Sequence, residues 1–204
     1  MKISASIIRK IHFYSGLTLS LFISIHLFNH LTIYWGEDIY LEFMESFRVV
    51  YRNIIVETLL IGIVMIQIVS GINMAKRKKF LKSYDKLHVY SGFYLSFFLI
   101  AHVSAILIGR CYFNLDTNLY FGAATLNLSI FPLIFIPYYG LAIFSFFTHI
   151  ACILRIKMLI RNPEKNYNFH AKIIIASGLI IAILLIIGLI GVNIPVEYKV
   201  PFGM

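Results

Sequence analysis

Five apolar runs, each of roughly the twenty residues needed to cross a hydrocarbon core as helix, alternate with short stretches where Lys and Arg collect. They fall at residues 11–35, 54–75, 87–109, 128–154 and 173–194. Apolar residues fill 60% of the 204 positions and charged residues 13%, so most of each run has only lipid or another run to face. Backbone surrounded by lipid must satisfy its own hydrogen bonds, and a helix does so within one segment. The expected fold is all-α: a polytopic membrane helix bundle of five transmembrane helices, with residues 1–204 as a single transmembrane helical domain. The first run could be mistaken for a secretory leader. It is too long for a leader's apolar core, no small-x-small cleavage site follows, and it contains His26, Asn29 and His30.

The net charge of +9 does not point to nucleic acid, because the basic residues lie between apolar runs and form no patch on a soluble face. They report topology. With the N-terminus cytoplasmic, the inner segments hold Lys2, Arg9, Lys10, Lys76, Arg77, Lys78, Lys79, Lys82, Lys86, Arg155, Lys157, Arg161, Lys165 and Lys172. Only Arg48, Arg52, Arg110 and Lys199 remain outside, a distribution that fits five crossings and an external C-terminus. Between runs 1 and 2, Leu41, Phe43, Met44, Phe47, Val50 and Tyr51 alternate with Glu42, Glu45, Arg48 and Arg52 after a break at Gly36 and a capping Asp38. That pattern predicts a short interfacial amphipathic helix. A polar loop is expected around Arg110, Asp116, Asn118 and Asn127, and a second connection around Arg155 to Lys172. The fifth run is so uniformly aliphatic that it reads as a lipid-facing wall. Cys111 and Cys152 are expected near opposite membrane surfaces, too far apart to pair.

Inside this frame the chain repeats itself. His12, Tyr14, Ser15, Gly16, Leu19, Ser20, Phe22 and His26 recur 76 residues later as His88, Tyr90, Ser91, Gly92, Leu95, Ser96, Phe98 and His102. The repeat covers about 11–75 and 87–154, with run 5 added. Fourteen residues along an α-helix turn through about 1400° and climb about 21 Å, so each copy carries two histidines on one face, most of a bilayer apart. Counted from the inner ends, His26 and His102 share a level in the outer half; Gln67 and His149 share one in the inner half. His12 and His88 sit beside Lys10 and Lys86 at the inner boundary.

A neutral imidazole nitrogen is a good axial ligand for haem iron, and two imidazoles at equal depth suit a low-spin, one-electron site. His26 and His102 are the candidate axial ligands to a haem iron. The competing reading is that each histidine hydrogen-bonds a neighbouring helix. Gly16 and Gly92 admit either close helix contact or a porphyrin edge. His30, one turn beyond His26, is a candidate propionate contact or a substitute ligand. No flavin or nucleotide motif, iron–sulfur cysteine set or C-x-x-C-H is present, so the chain is expected to hold no dehydrogenase site and no covalent c-type haem.

Arg9-Lys10-Ile11-His12 with Gly16 and His26, then Gly92 and His102, then His149, resembles the membrane anchor (cytochrome b subunit) of succinate dehydrogenase or fumarate reductase in its single-chain five-helix form. The resemblance implies one or two b haems, a quinone as diffusible substrate, and flavoprotein and iron–sulfur subunits docked on the cytoplasmic face of an energy-transducing inner or plasma membrane. It implies that His26 and His102 hold one haem and that His149 belongs to a second haem or a quinone pocket, with Gln67 where a partner histidine would stand. It also implies that the H-x-x-S-G elements, His12 to Ser15 and His88 to Ser91, border the quinone. Phe13 and Val89 occupy the place of that family's usual Arg. Histidines fourteen apart on two helices also resemble the two-haem respiratory cytochrome b, and a non-redox assembly or transport component with structural histidines is a further alternative.

Overall fold

The computed structural model describes residues 4–77 and 83–199. Lys2, Lys78, Lys79 and Lys82, all counted above as inner charges, lie outside the described residues. The chain divides into two compact units, Met1–Phe80 and Leu81–Met204, and the boundary falls between the two copies of the repeat. Among the described residues the regular structure is helical: α1 (Ala5–Leu31), extended by a 3-10 turn (Thr32–Trp35), α2 (Glu37–Tyr51), α3 (Ile54–Ala75), α4 (Ser83–Cys111), α5 (Leu119–Asn127), α6 (Pro132–Arg161) and α7 (Asn168–Leu189), with a final 3-10 turn (Val196–Tyr198). Five helices, α1, α3, α4, α6 and α7, are long and apolar enough to cross a membrane, as expected of a multi-pass membrane protein.

In the first unit α1 packs on α3. α1 begins at Ala5, earlier than the apolar run suggests, because the Ser4 hydroxyl accepts from the Ile7 amide and supplies an N-cap. Gly36, at φ +117°, turns the chain into α2, and Asn53 caps α3 by accepting from Ile55. α2 buries Tyr40, Met44 and Arg48, one stripe at helical spacing. Its ends meet α1 two turns apart: Tyr40 reaches His30, and the Tyr51 ring stands edge-on to Phe22. Arg48 was expected on the polar face, yet it is 7% exposed, paired with the more exposed Glu45 one turn earlier.

In the second unit α6 packs on both α4 and α7. The expected polar loop after α4 contains α5, whose Leu119, Ala123, Ala124 and Leu126 are buried. Asn118 caps it by accepting from Tyr120, and a run this short is too brief to read as a span. Arg155, Lys157 and Arg161 belong to α6 itself, since nothing breaks the helix before Asn162 and Pro163; long basic side chains can stay on a helix end and reach for water. α7 is not simply a lipid-facing wall: Ala171, Gly178, Ala182, Leu185 and Leu189 are buried, and α6 is its main neighbour. It stops at Leu189, short of residue 194. There Asn127 donates to the Leu189 carbonyl and accepts from the Gly191 amide, taking over the helix end. Neither Cys111 nor Cys152 forms a disulfide.

Candidate functional site

The first copy of the motif builds a closed polar cluster between α1 and α3. Ser15 Oγ donates to Gln67 Oε1 at 2.6 Å, and the Gln67 amide nitrogen lies 3.3 Å from His12 Nε2. His12 Nδ1 lies 3.0 Å from Ser70 Oγ, which donates onward to the Ile66 carbonyl at 2.6 Å. With the amide in this orientation, His12 is the neutral Nδ1–H tautomer, and both ring nitrogens are engaged inside the unit. Gly16 is what lets Gln67 in: a Cβ at that position would lie 3.0 Å from the amide nitrogen. Of the two readings of this glycine, close helix contact is the one the first unit uses.

The second copy repeats the plan with an imidazole in place of the amide. Ser91 Oγ lies 3.3 Å from His149 Nδ1, and a Cβ at Gly92 would meet His149 Cε1 at 3.1 Å. Gln67 and His149 therefore hold the same position relative to Ser-Gly in their own units. His149 Nδ1 also lies 3.2 Å from the His88 carbonyl, an acceptor, so Nδ1 carries the proton and the ring's lone pair is on Nε2. The His88 and His149 rings meet at 4.4 Å between centroids, inclined at 45°.

At the other motif histidines the two units again agree. Phe22 lies parallel to His26 (6.1 Å between centroids, 8°), and Phe98 lies parallel to His102 (5.1 Å, 13°), each phenylalanine one turn before its histidine. His26 Nε2 is 3.2 Å from His30 Nε2, and His30 Nδ1 is 2.8 Å from the Tyr40 hydroxyl. Tyr40 is buried, and burial holds its phenol above the ordinary tyrosine range, so it stays a neutral donor. If Tyr40 donates to His30 Nδ1, then His30 Nε2–H donates to His26, and the three side chains form one hydrogen-bonded row. In the second unit Phe98 is instead enclosed by Tyr138 and Tyr139 of α6. Tyr94 donates to the Tyr138 carbonyl at 2.9 Å, and Thr125 of α5 donates to Tyr139 at 3.3 Å.

The structure thus brings together His12, Ser15 and Gln67, separately His88, Ser91 and His149, and separately again His26 and His30. His26 and His102 belong to different units, as do Gln67 and His149. Tyr40, Ser70, Tyr138 and Tyr139 join these groups without having been singled out in the sequence. Tyr40 lies ten residues from His30 across a turn that no periodicity predicts. Ser70 alone could have been suspected, as the polar residue three after Gln67. Among the described residues no three His, Cys, Asp or Glu side chains gather as a metal-binding group. No protein-family model, curated protein or solved structure matches the chain.

Proposed function

We propose that the protein is a b-type haem membrane anchor that carries electrons between a quinone in the bilayer and redox subunits docked on its basic cytoplasmic face. The observation that supports it most is the duplicated histidine: His26 and His102 stand at the same place in two copies of one motif, each laid parallel on a phenylalanine one turn earlier. Both imidazoles are only half-buried. The donor types suit haem b: both residues carry an imidazole, the usual axial ligand, and His26 would release its Nε2 from His30 to bind iron. A haem held there supplies one-electron transfer at a low-spin iron. The chain's own residues orient the ligands: Phe22 and Phe98 fix the ring planes, and Tyr40 directs His30.

The H-x-x-S-G elements, His12 with Ser15 and His88 with Ser91, are the proposed borders of the quinone site, and His149 the residue most suited to a second haem or to the quinone itself. Its Nδ1–H is directed at a carbonyl, as second-shell bonding does for metal-bound histidines, which leaves the lone pair on Nε2. In this reading the N-terminus is cytoplasmic, the C-terminus external, and α2 lies at the outer surface of an energy-transducing inner or plasma membrane. Ile39, Val49 and Val50, all exposed on α2, would contact the lipid boundary.

Replacement of the proposed ligands tests the assignment. His26→Ala and His102→Ala each abolish a low-spin spectrum, while His149→Ala leaves it at His26 and His102 in place. Loss of all signal with His12→Ala and His88→Ala as well, and two haems per chain, would favour the two-haem respiratory cytochrome b. The engagement of both His12 nitrogens within its unit speaks against that arrangement and, taken alone, suits a structural histidine.

A further inference from the structure

At one end of the second unit the start of α4, the end of α6 and the start of α7 enclose a cavity of about 250 Å³ lined by Ser83, Tyr84, Asp85, Arg155, Ile156 and Asn168. Arg155 dominates it. Its guanidinium lies over the Tyr84 ring with the central carbon 4.1 Å from the ring centre, and its Nε donates to Asn168 Oδ1 at 2.7 Å. Stacking from one helix and a hydrogen bond from another fix the plane of the group. Its two terminal amino groups donate to nothing else among the described residues. A guanidinium presented in this way matches the paired oxygens of a phosphate.

The surroundings favour an anion and a lipid. Across 83–86 and 155–172 the basic side chains are Lys86, Arg155, Lys157, Arg161, Lys165 and Lys172, against Asp85 and Glu164. Asp85 lines the cavity, and its carboxylate tells against a highly charged anion such as a phosphate monoester. A singly charged phosphate diester meets that limit. Exposed Leu154 and Ile160 on α6, and Phe169 and Ile173 on α7, flank the same end and suit acyl chains. We infer that this cavity binds the phosphate diester of an acidic phospholipid headgroup, with Arg155 as the recognising residue. Basic sites at helix ends on the cytoplasmic side are the usual place for such headgroups. The inference does not depend on haem.

The test is native mass spectrometry of the full chain in detergent, titrated with phosphatidylglycerol, phosphatidylcholine or inorganic phosphate. One phosphatidylglycerol per chain is expected to be retained, at least about tenfold more tightly than by Arg155→Gln, the loss of a charge-assisted hydrogen bond. Asn168→Ala, which keeps the charge but frees the guanidinium, is expected to fall between them and serves if Arg155→Gln does not fold. Lys157→Gln, an exposed basic residue on the same helix that adds only to the general positive field, is expected to weaken retention far less than Arg155→Gln. Equal loss from Lys157→Gln and Arg155→Gln would overturn the site in favour of diffuse surface charge. Equal retention of phosphatidylcholine, or displacement of lipid by inorganic phosphate at similar concentration, would overturn the acidic-lipid assignment.

Discussion

Two copies of one motif have been finished differently. In the first unit Gln67 completes the cluster, and an amide serves well because it accepts from Ser15 with its oxygen while its nitrogen reaches His12. In the second unit His149 stands against Ser91 and Gly92, and there the pair of rings, His88 and His149, takes the place of the amide's second hydrogen bond. An amide neither binds iron well nor takes up a proton near neutral pH; an imidazole does both. The contrast separates what the motif needs in order to pack, which is Ser-Gly on one helix and a polar side chain on its neighbour, from the imidazole that, of the two finishing residues, His149 alone provides.

Gly16→Leu and Gly92→Leu should break both copies alike. Each forces a side chain into the space held by Gln67 or His149, and overpacking of this kind costs about 1–3 kcal/mol. The readout is thermal unfolding in detergent; a loss confined to one variant would mean the two clusters are not equivalent in packing.

Gln67→Leu should cost about 0.6–1.7 kcal/mol, the worth of a polar contact between membrane helices, as it takes the amide donor from His12 Nε2 while the Ser15 hydroxyl keeps the Ile11 carbonyl as acceptor at 2.8 Å. Exchanging the two finishing residues sharpens the comparison further. Gln67→His is expected to change stability little and leave any bound cofactor unaltered, whereas His149→Gln keeps the packing and removes whatever His149 binds or protonates. Equal effects of the two exchanges on cofactor content or quinone reduction would remove the functional distinction between the units.

The smallest effect concerns the first unit's other end. Tyr40→Phe removes the hydrogen bond to His30, about 0.5–1.5 kcal/mol. Burial raises the Tyr40 pKa, so its neutral form is favoured by folding. The associated stability is complete below the unfolded-state pKa of about 10 and is lost progressively as pH rises above it. Stability of Tyr40→Phe should therefore fall less steeply than wild type above about pH 10, which equilibrium unfolding at graded alkaline pH measures.

The five long helices were legible because lipid-crossing length and positive flanks are strong signals, and the span at 54–75 ends where expected. Two of the ends that moved did so for reasons no hydropathy pattern contains: a serine cap ahead of α1, and Asn127 closing α7 from 62 residues away. α5 was hidden because its small residues, Ala123 and Ala124, sit beside polar ones that read as loop. Arg48 looked like part of a polar face because of its charge, although its register, four residues after Met44 and eight after Tyr40, puts it on their buried stripe, where Glu45 pairs with it. For the candidate site, the repeat itself exposed His12, His88, His26 and His102. Gln67 stood out as the polar residue where a histidine partner was wanted. That it faces Ser15, as His149 faces Ser91, needed the helix pairing within each unit.

The central claim is best tested by a reduced-minus-oxidised difference spectrum of the purified wild-type chain, with haem quantified per chain. The account predicts a low-spin b-type spectrum that disappears with His26→Ala or His102→Ala and survives His12→Ala. A colourless protein after expression with ample haem would contradict it.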